Sequence, residues 1–197
     1  MREEIIKALE ELKTIKFTKK DNHSFLSIES YLCSLNNGKT ITREKILKNN
    51  SDGSAAIIYP VTEDGKIILA IEPRVFTTRT VDIGFPAGYI EECEEPIIAA
   101  RRELLEETGY DSEDIIPLGS YYQDQGCSEA YNHYFLANNC KKVGNQSLDD
   151  GEFIKYVLVT QEELDELIDK GYITGLNTAF ALEKGKKYLR RRIKNGI

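Results

Sequence analysis

The sequence predicts an α+β domain in which helices lie on a mixed β-sheet. Segments with the pattern of strands come first, and a helix, further strands and further helices follow them. Such an order favours a layered domain with the sheet between helices, because this arrangement buries the apolar side of every element. With 197 residues, 41% of them hydrophobic, the chain can form a full core. We expect one domain and a small accessory segment.

Residues 1–50 are predicted to form that segment, an N-terminal extension rich in β-structure. A short helix is expected over 1–13, where apolar residues recur on one side. Alternating apolar and polar residues predict strands over 24–33 and 40–48. The extension is too small to bury its own apolar face, so we expect it to pack on the main domain, residues 51–197, or on a second subunit.

The main domain is predicted to continue with strands and helices. A helix should begin near Pro96, which suits a first turn, and end at Gly109. Thr160 and Glu163 predict a capping box for a helix that reaches Asp169. A last helix is expected over 176–193, and a loop over 141–151. Short apolar runs bounded by turn residues predict strands at 55–61, 66–71, 115–122, 131–137 and 153–159.

Composition excludes several classes of protein. The formal charge of −7 argues against a nucleic acid as the main partner. We find no apolar run of membrane-spanning length and no signal peptide at the acidic N-terminus. The four cysteines lack CxxC spacing, so neither a zinc site nor a disulfide framework is expected. These features favour a cytoplasmic protein with reduced thiols and no membrane partner.

Three glutamates are concentrated on the helix that follows Pro96. Glu103, Glu106 and Glu107 are three or four residues apart or adjacent, so they crowd towards one face and repel one another. A solvated acidic helix is the simplest alternative. A hard divalent cation would neutralise the cluster, and Mg²⁺ prefers carboxylates, water and substrate phosphates as ligands. The cluster therefore predicts metal-dependent chemistry on a phosphate.

The spacing around this cluster resembles the Nudix box. The pattern has a glycine, a glutamate six residues later and then a charged helical run, and here every fixed position matches: Gly88, Glu94, Arg102, Glu103, Leu104, Glu106, Glu107 and Gly109. The chain thus resembles the Nudix hydrolases, which cleave nucleoside diphosphates linked to another moiety. The resemblance implies an α/β/α sandwich with a mixed sheet.

The resemblance also implies which residues hold the metal. Glu103 and Glu107 are the expected direct ligands of Mg²⁺, which Mn²⁺ can replace, and Glu106 is expected to bind it directly or through water. The carbonyl of Ala87 is a further ligand in relatives. Glu94 and Arg102 are expected to orient the loop through a buried ion pair.

A general base must accept the proton of the attacking water. The run Asp150-Gly151-Glu152-Phe153 resembles an element of ADP-ribose pyrophosphatases, which makes Glu152 the first candidate for the base or for an extra metal ligand. Asp150 is the second candidate and Glu129, in another loop, is the third. A plain polar turn is the alternative interpretation of residues 149–152.

Other features resemble the ADP-ribose pyrophosphatase branch, among them Pro86-Ala87-Gly88 and the N-terminal extension. Arg74 matches an arginine of that branch and could bind a phosphate or ribose, although a structural role is as plausible. Two positions depart from the branch: Gly84 stands where it usually has glutamate, and Gly126 lies in a loop where it carries proline. Both positions belong to substrate selection, as does the loop around Gly126 and Glu129.

The predicted activity is Mg²⁺-dependent hydrolysis of ADP-ribose to AMP and ribose 5-phosphate. Other Nudix substrates are alternatives, namely a nucleotide sugar, a dinucleotide coenzyme or an oxidised nucleotide. A non-catalytic module that senses a nucleotide is a third possibility, but it need not retain metal ligands. Relatives in the branch are homodimers in which N-terminal strands cross to the partner, so a homodimer is also expected.

Overall fold

A computed structural model describes residues 1–13 and 25–194, with side chains as far as residue 188. Its helices are α1 (Glu3–Leu12), α2 (Pro96–Thr108), α3 (Gln161–Asp169) and α4 (Leu176–Lys194). Its strands are β1 (Leu26–Ser34), β2 (Thr40–Lys48), β3 (Ala55–Thr62), β4 (Ile67–Pro73), β5 (Val81–Gly84), β6 (Ala87–Tyr89), β7 (Tyr110–Asp111), β8 (Asp114–Tyr122), β9 (Tyr131–Lys142) and β10 (Lys155–Val159).

Eight of the described strands form one mixed sheet. Its central path runs in the order β10-β4-β3-β9-β7, while β5 pairs with β4, β6 with β3 and β8 with β9. Strands β3 and β9 are parallel, and the other pairs are antiparallel. The mixed sheet predicted from the order of the elements is therefore confirmed.

Helices cover both faces of this sheet. Ile57 and Tyr59 of β3 point into a core that α1, α3 and α4 share. Ala56 and Ile58, which alternate with them, point the other way and pack with Ala99, Ala100 and Leu104 of α2. Because successive side chains of a strand face opposite sides, one strand serves both cores. The α/β/α layering implied by the resemblance is confirmed.

The N-terminal residues form two structures that differ in burial. Helix α1 places Ile5, Ala8 and Leu9 in the main core. Strands β1 and β2 form a separate antiparallel hairpin, which is joined to the main domain by a hydrogen bond from the Ile46 N–H to the Cys127 carbonyl. Helix α1 therefore packs as part of the main domain, whereas the hairpin of β1 and β2 lies outside the main core.

Several helix ends lie where the sequence predicts them. Helix α2 begins at Pro96 and stops at Gly109, whose φ of 68° is the left-handed conformation that glycine adopts readily. The capping box of α3 is present, with Thr160 and Glu163 each bonded to the other's backbone N–H. Helix α4 extends one residue beyond the predicted end. The side chains of residues 190–192, predicted to be a solvated basic helix end, lie outside the described residues.

The strands depart from prediction in two places. Strand β9 continues to Lys142, beyond the predicted end at residue 137, because β7 pairs with its last two residues. The strand predicted from residue 153 instead begins at Lys155, since residues 149–152 form a hydrogen-bonded turn. The short strands β5, β6 and β7 were not predicted. Their apolar runs are too short to give a periodic signal.

Two further observations concern membrane-spanning helices and the cysteines. In the parts of the chain that the structure describes, we find no helix with the length and apolar character needed to cross a membrane. All four cysteines are free thiols, and Cys140 is buried.

Candidate active site

A cleft of about 570 Å³ opens between the ends of β4 and β6, helix α2 and the loop before β10. Strand β4 ends at this point, and the α2 face that carries the paired carboxylates turns towards it. Six residues of the cleft lining concern the predicted chemistry most directly, namely Glu72, Arg74, Ala87, Glu103, Glu107 and Glu152. Five of these six were candidates from the sequence. The exception is Glu72.

Glu107 is the most deeply buried carboxylate of the cleft, with a relative exposure of 6%. Within the described part of the chain, its Oε2 atom has no hydrogen-bond partner. Burial raises the pKa of Glu107 well above its usual value, and the charges of Glu103, Glu72 and Glu152 raise that pKa further. An unpaired carboxylate under these conditions is unfavourable unless a cation neutralises it.

Glu103 lies beside Glu107 and is also buried. Burial raises the pKa of Glu103 to about 7, although the Arg102 guanidinium opposes that rise. Gly88 packs directly on this carboxylate, so a Cβ atom at position 88 would overlap it. The glycine therefore allows the backbone of β6 to approach Glu103, which only a residue without a side chain permits.

Arg102 organises the outer side of the same helix. Its guanidinium donates to both oxygens of Glu94, each at 2.9 Å, to Glu103 at 2.7 Å and to Glu106 at 3.0 Å. The ion pair between Glu94 and Arg102 predicted from the sequence is confirmed. Glu106 remains more exposed than Glu103 and lies outside the residues that line the cleft.

The donors suit an open magnesium site. Among the described residues, no three acidic, histidine or cysteine side chains form a ready-made cage around an ion. Mg²⁺ does not require one, because it keeps several waters and takes the rest of its ligands from one or two carboxylates and from substrate phosphates. The orphaned oxygen of Glu107 and the buried charge of Glu103 fit such a cation.

Glu72 and Arg74 stand at the end of β4. Arg74 donates to Glu72 Oε1 at 2.6 Å. Burial raises the pKa of Glu72, the Arg74 charge lowers it, and the charges of Asp82 and Glu152 raise it. Sequence reasoning selected Arg74 and passed over Glu72. The signal in the sequence that could have identified Glu72 was its position as a glutamate near the end of a strongly apolar strand.

The loop before β10 brings Glu152 to the cleft. The Glu152 N–H donates to the Asp149 carbonyl at 3.0 Å, and the Asp149 N–H donates to Glu152 Oε2 at 3.1 Å. Gly151 allows this tight turn with a φ of 100°. Glu152 and Asp149 line the cleft, whereas Asp150 is absent from its lining.

The remaining two sequence candidates lie near the hairpin instead of in the cleft. Glu129 accepts from Lys45 Nζ at 2.8 Å. The Gly126 N–H donates to Asp124 Oδ1 at 2.9 Å within an exposed loop. Neither residue belongs to the cleft lining.

A second cavity of about 870 Å³ adjoins the cleft and was not predicted from the sequence. Asn49, Tyr89 and Glu91 line both spaces. Phe25 and Tyr89 form an aromatic pair with ring centroids 6.1 Å apart, and Lys48 lies over the Tyr89 ring. The two cavities together can receive an elongated ligand with a phosphate region and an aromatic region.

Comparisons with known proteins agree with this geometry. The family model of the NUDIX domain matches residues 52–175, which is more than half of the chain. The chain belongs to the Nudix family. The Nudix protein is 35% identical over 181 residues to an ADP-ribose pyrophosphatase of Bacillus subtilis (strain 168), with 90% of this chain and 94% of that protein covered.

Two other similarities extend the comparison. The Nudix protein is 30% identical to a methanol dehydrogenase activator of Bacillus methanolicus, over 88% of this chain and 91% of that one. A crystal structure of an ADP compounds hydrolase superposes with a TM-score of 0.73 and 21% identity, covering 90% of this chain and 94% of the other. That structure supports the fold. The resemblance to Nudix hydrolases of the ADP-ribose pyrophosphatase-like branch is confirmed, and the protein is a hydrolase of that kind.

Proposed function

We propose that this Nudix hydrolase cleaves the pyrophosphate of a nucleoside diphosphate derivative in a Mg²⁺-dependent reaction. The preferred substrate is ADP-ribose, and its products are AMP and ribose 5-phosphate. The observation that carries the proposal is the buried Glu107 carboxylate, whose Oε2 atom has no hydrogen-bond partner among the described residues, in one cleft with Glu103, Glu152 and Arg74. The 35% identity to the ADP-ribose pyrophosphatase of B. subtilis supports the choice of substrate.

In this proposal Glu103, Glu107 and the Ala87 carbonyl hold Mg²⁺, with Glu106 contributing through water. Mn²⁺ is expected to replace Mg²⁺. A bound cation of this kind neutralises the pyrophosphate and lowers the pKa of water. Arg74 binds a substrate phosphate, because a guanidinium presents paired donors to phosphate oxygens.

Glu152 is the proposed general base. It lines the cleft together with Glu103 and Glu107 of α2, and its turn with Asp149 holds it there. A carboxylate in this position can accept the proton of a water that attacks the phosphorus. Asp150 is the second candidate for this role because it is two residues away in the same loop.

The cavity beside the cleft is the proposed site for the nucleoside. Its volume lies within the range typical of small-molecule sites. Phe25 and Tyr89 offer aromatic faces for a base, and Asn49 offers amide donors and acceptors. Placement of the base there would set the pyrophosphate beside Arg74, since the two cavities share a wall.

We also propose that the protein is a cytoplasmic homodimer and that it does not bind nucleic acid. Leu26, Ile28 and Leu32 share one face of β1 and are 53%, 65% and 78% exposed. An apolar face of this kind is typical of an interaction surface, and a second subunit would cover it. Light scattering at micromolar concentration tests the dimer. A monomer with full activity would contradict both the dimer and a catalytic contribution of the hairpin from a second subunit.

A nucleotide sugar is the second candidate substrate. GDP-mannose pyrophosphatase of Salmonella arizonae is 27% identical over 59% of this chain and 63% of that protein. Gly84 and Gly126 differ from the ADP-ribose pyrophosphatase branch at positions that the resemblance assigns to substrate selection. A non-catalytic sensor is disfavoured, because it would have no use for the complete carboxylate set.

A hydrolysis panel with identification of the products tests the proposed function. It should include ADP-ribose, GDP-mannose, NADH, diadenosine polyphosphates and nucleoside triphosphates, each with Mg²⁺ and with EDTA. We expect ADP-ribose to give the highest kcat/KM, with AMP and ribose 5-phosphate as products and no turnover in EDTA. A higher kcat/KM for GDP-mannose would favour the second candidate instead.

A further inference from the structure

The cleft contains a carboxylate on strand β4 that the proposed chemistry does not use. Glu72 lines the same space as Glu103, Glu107 and Glu152, but it comes from the end of strand β4 and not from the Nudix box or the following loop. Carboxylates from several separate parts of the chain therefore face one cleft. Such convergence of like charges is unfavourable unless it serves a cation.

Glu72 and Glu107 line the same cleft. Glu107 is buried, and within the described part of the chain its Oε2 atom has no hydrogen-bond partner. A second carboxylate that faces the same space as this orphaned oxygen makes the pair a place where a cation would be bound.

An ion pair with Arg74 holds Glu72. Arg74 Nη2 donates a hydrogen bond to Glu72 Oε1. Arg102, which also lines the cleft, holds Glu103 in the same way. A guanidinium that is paired with a carboxylate has fewer donors free for a phosphate.

We propose that Glu72 is a further ligand of the divalent cation bound at Glu107, and that this ligation releases Arg74 for the substrate phosphate. The inference rests on the proposed function for the presence of a divalent cation in the cleft. Cation and phosphate then bind cooperatively, because each favours the arrangement in which Glu72 and Arg74 are separated. By linkage the coupling is reciprocal, so phosphate also strengthens cation binding.

Cation binding measured without substrate tests this role of Glu72. The probe is Mn²⁺, titrated into the metal-free full-length protein and followed by electron paramagnetic resonance. We expect Glu72→Gln to weaken Mn²⁺ binding by about tenfold, the scale on which loss of a supporting carboxylate lowers metal affinity. Asp82→Asn is the matched control, since Asp82 pairs with Glu72 across β4 and β5 and is not part of the cleft lining. It should change the affinity less than twofold.

A double-mutant cycle separates ligation from general electrostatics. Arg74→Ala should strengthen Mn²⁺ binding several-fold, because Glu72 is then free. That gain should vanish in the Glu72→Gln background if it acts through Glu72. A gain that persists there would show that Arg74 acts only by its charge, and it would overturn the proposal. If Glu72→Gln fails to fold, an unchanged Mn²⁺ affinity in Arg74→Ala would still overturn the proposal.

The opposing outcomes are distinct. Wild-type Mn²⁺ affinity in Glu72→Gln, with a raised KM for ADP-ribose, would mean that Glu72 only positions Arg74, and the ligand assignment would be wrong. Tight Mn²⁺ binding by the wild-type protein, lost in Glu72→Gln, together with no hydrolysis of any diphosphate in the panel, would refute the proposed function and leave the ligand assignment standing. A wild-type protein that binds no Mn²⁺ would overturn the ligand assignment.

Discussion

Helix α2 and the turn before it carry two groups of glutamates whose surroundings are opposite. On the outer side, Glu94 and Glu106 both pair with Arg102, and hydrogen bonding to Arg102 lowers the pKa of Glu94. On the inner side, burial raises the pKa values of Glu103 and Glu107, and Glu107 keeps an orphaned oxygen. Pairing with Arg102 therefore favours the ionised form of Glu94, whereas burial disfavours the ionised forms of Glu103 and Glu107.

This difference indicates where a metal ion is expected to bind. A charge that pairing compensates has no need of a ligand, but a buried charge that pairing does not compensate does. Burial outweighs the pairing of Glu103 with Arg102, and the Oε2 atom of Glu107 has no partner among the described residues. The inner glutamates therefore form the expected metal-binding side, and the outer ones support the backbone that presents them. Each prediction below changes one side of this comparison.

The largest effect is expected for Glu107→Gln. The substitution keeps the shape of the side chain but removes the anionic ligand, so the turnover of ADP-ribose should fall about 10³-fold or more, which corresponds to roughly 4 kcal/mol. Steady-state kinetics at saturating Mg²⁺ measure the effect, and circular dichroism verifies the fold. Glu106→Gln is the matched control on the outer side, and its loss should be much smaller. Equal losses in both variants would contradict the distinction between inner and outer glutamates.

The second prediction concerns pH and the inner residue Glu103. Because the folded-state pKa is raised from 4.5 to about 7, ionisation disfavours the folded state. No penalty exists below pH 4.5, and the penalty is complete above about pH 7. A shift of this size corresponds to at most about 3 kcal/mol. In EDTA, Glu103→Gln should therefore become more stable relative to wild type as the pH rises through this window.

Urea unfolding of both proteins at several pH values measures that change. The difference between their free energies of unfolding should be constant below pH 4.5 and should grow up to about pH 7. Excess Mg²⁺ should reduce the growth, because the cation stabilises the ionised carboxylate. A difference that does not vary with pH would contradict the raised pKa of Glu103.

Part of the difference between the inner and outer glutamates could be predicted from the sequence. The Nudix-box spacing identifies Glu103 and Glu107, and Pro96 and Gly109 mark the helix that presents them, because these signals are local. The role of Glu72 could not be read in this way. It depends on where β4 ends and on which strands surround it, and this pairing joins residues that are distant in the chain.

Two other residues show the same limit. Glu129 follows a loop that the sequence associated with substrate, but its partner is Lys45 of the hairpin, 84 residues away. Phe153 continues the alternation of a strand in the sequence, yet it is 63% exposed because the preceding turn occupies the backbone. Local pattern predicts elements well, whereas contacts between distant segments decide which side chains meet.

The third prediction is that a cation stabilises the fold through the inner group. A ligand that binds only the folded state at about 100 times its Kd adds roughly 2.7 kcal/mol. For a chain of this size, such a gain raises Tm by roughly 5–10 °C. Thermal unfolding in EDTA and in millimolar Mg²⁺ measures the shift. Glu107→Gln should lose most of the shift, and identical midpoints for the wild-type protein would contradict a preformed site.

The smallest effect is expected on the outer side, for Glu94→Gln. The substitution removes a partly buried carboxylate that accepts two hydrogen bonds from Arg102, and the free energy of unfolding should fall by about 1–2 kcal/mol. Arg102 would keep its bonds to Glu103 and Glu106, so Mn²⁺ affinity should weaken only slightly, through a stronger pull of Arg102 on Glu103. Urea unfolding and Mn²⁺ titration measure the two quantities on one protein. A large loss of Mn²⁺ affinity with unchanged stability would place Glu94 with the inner group and remove the basis of the comparison.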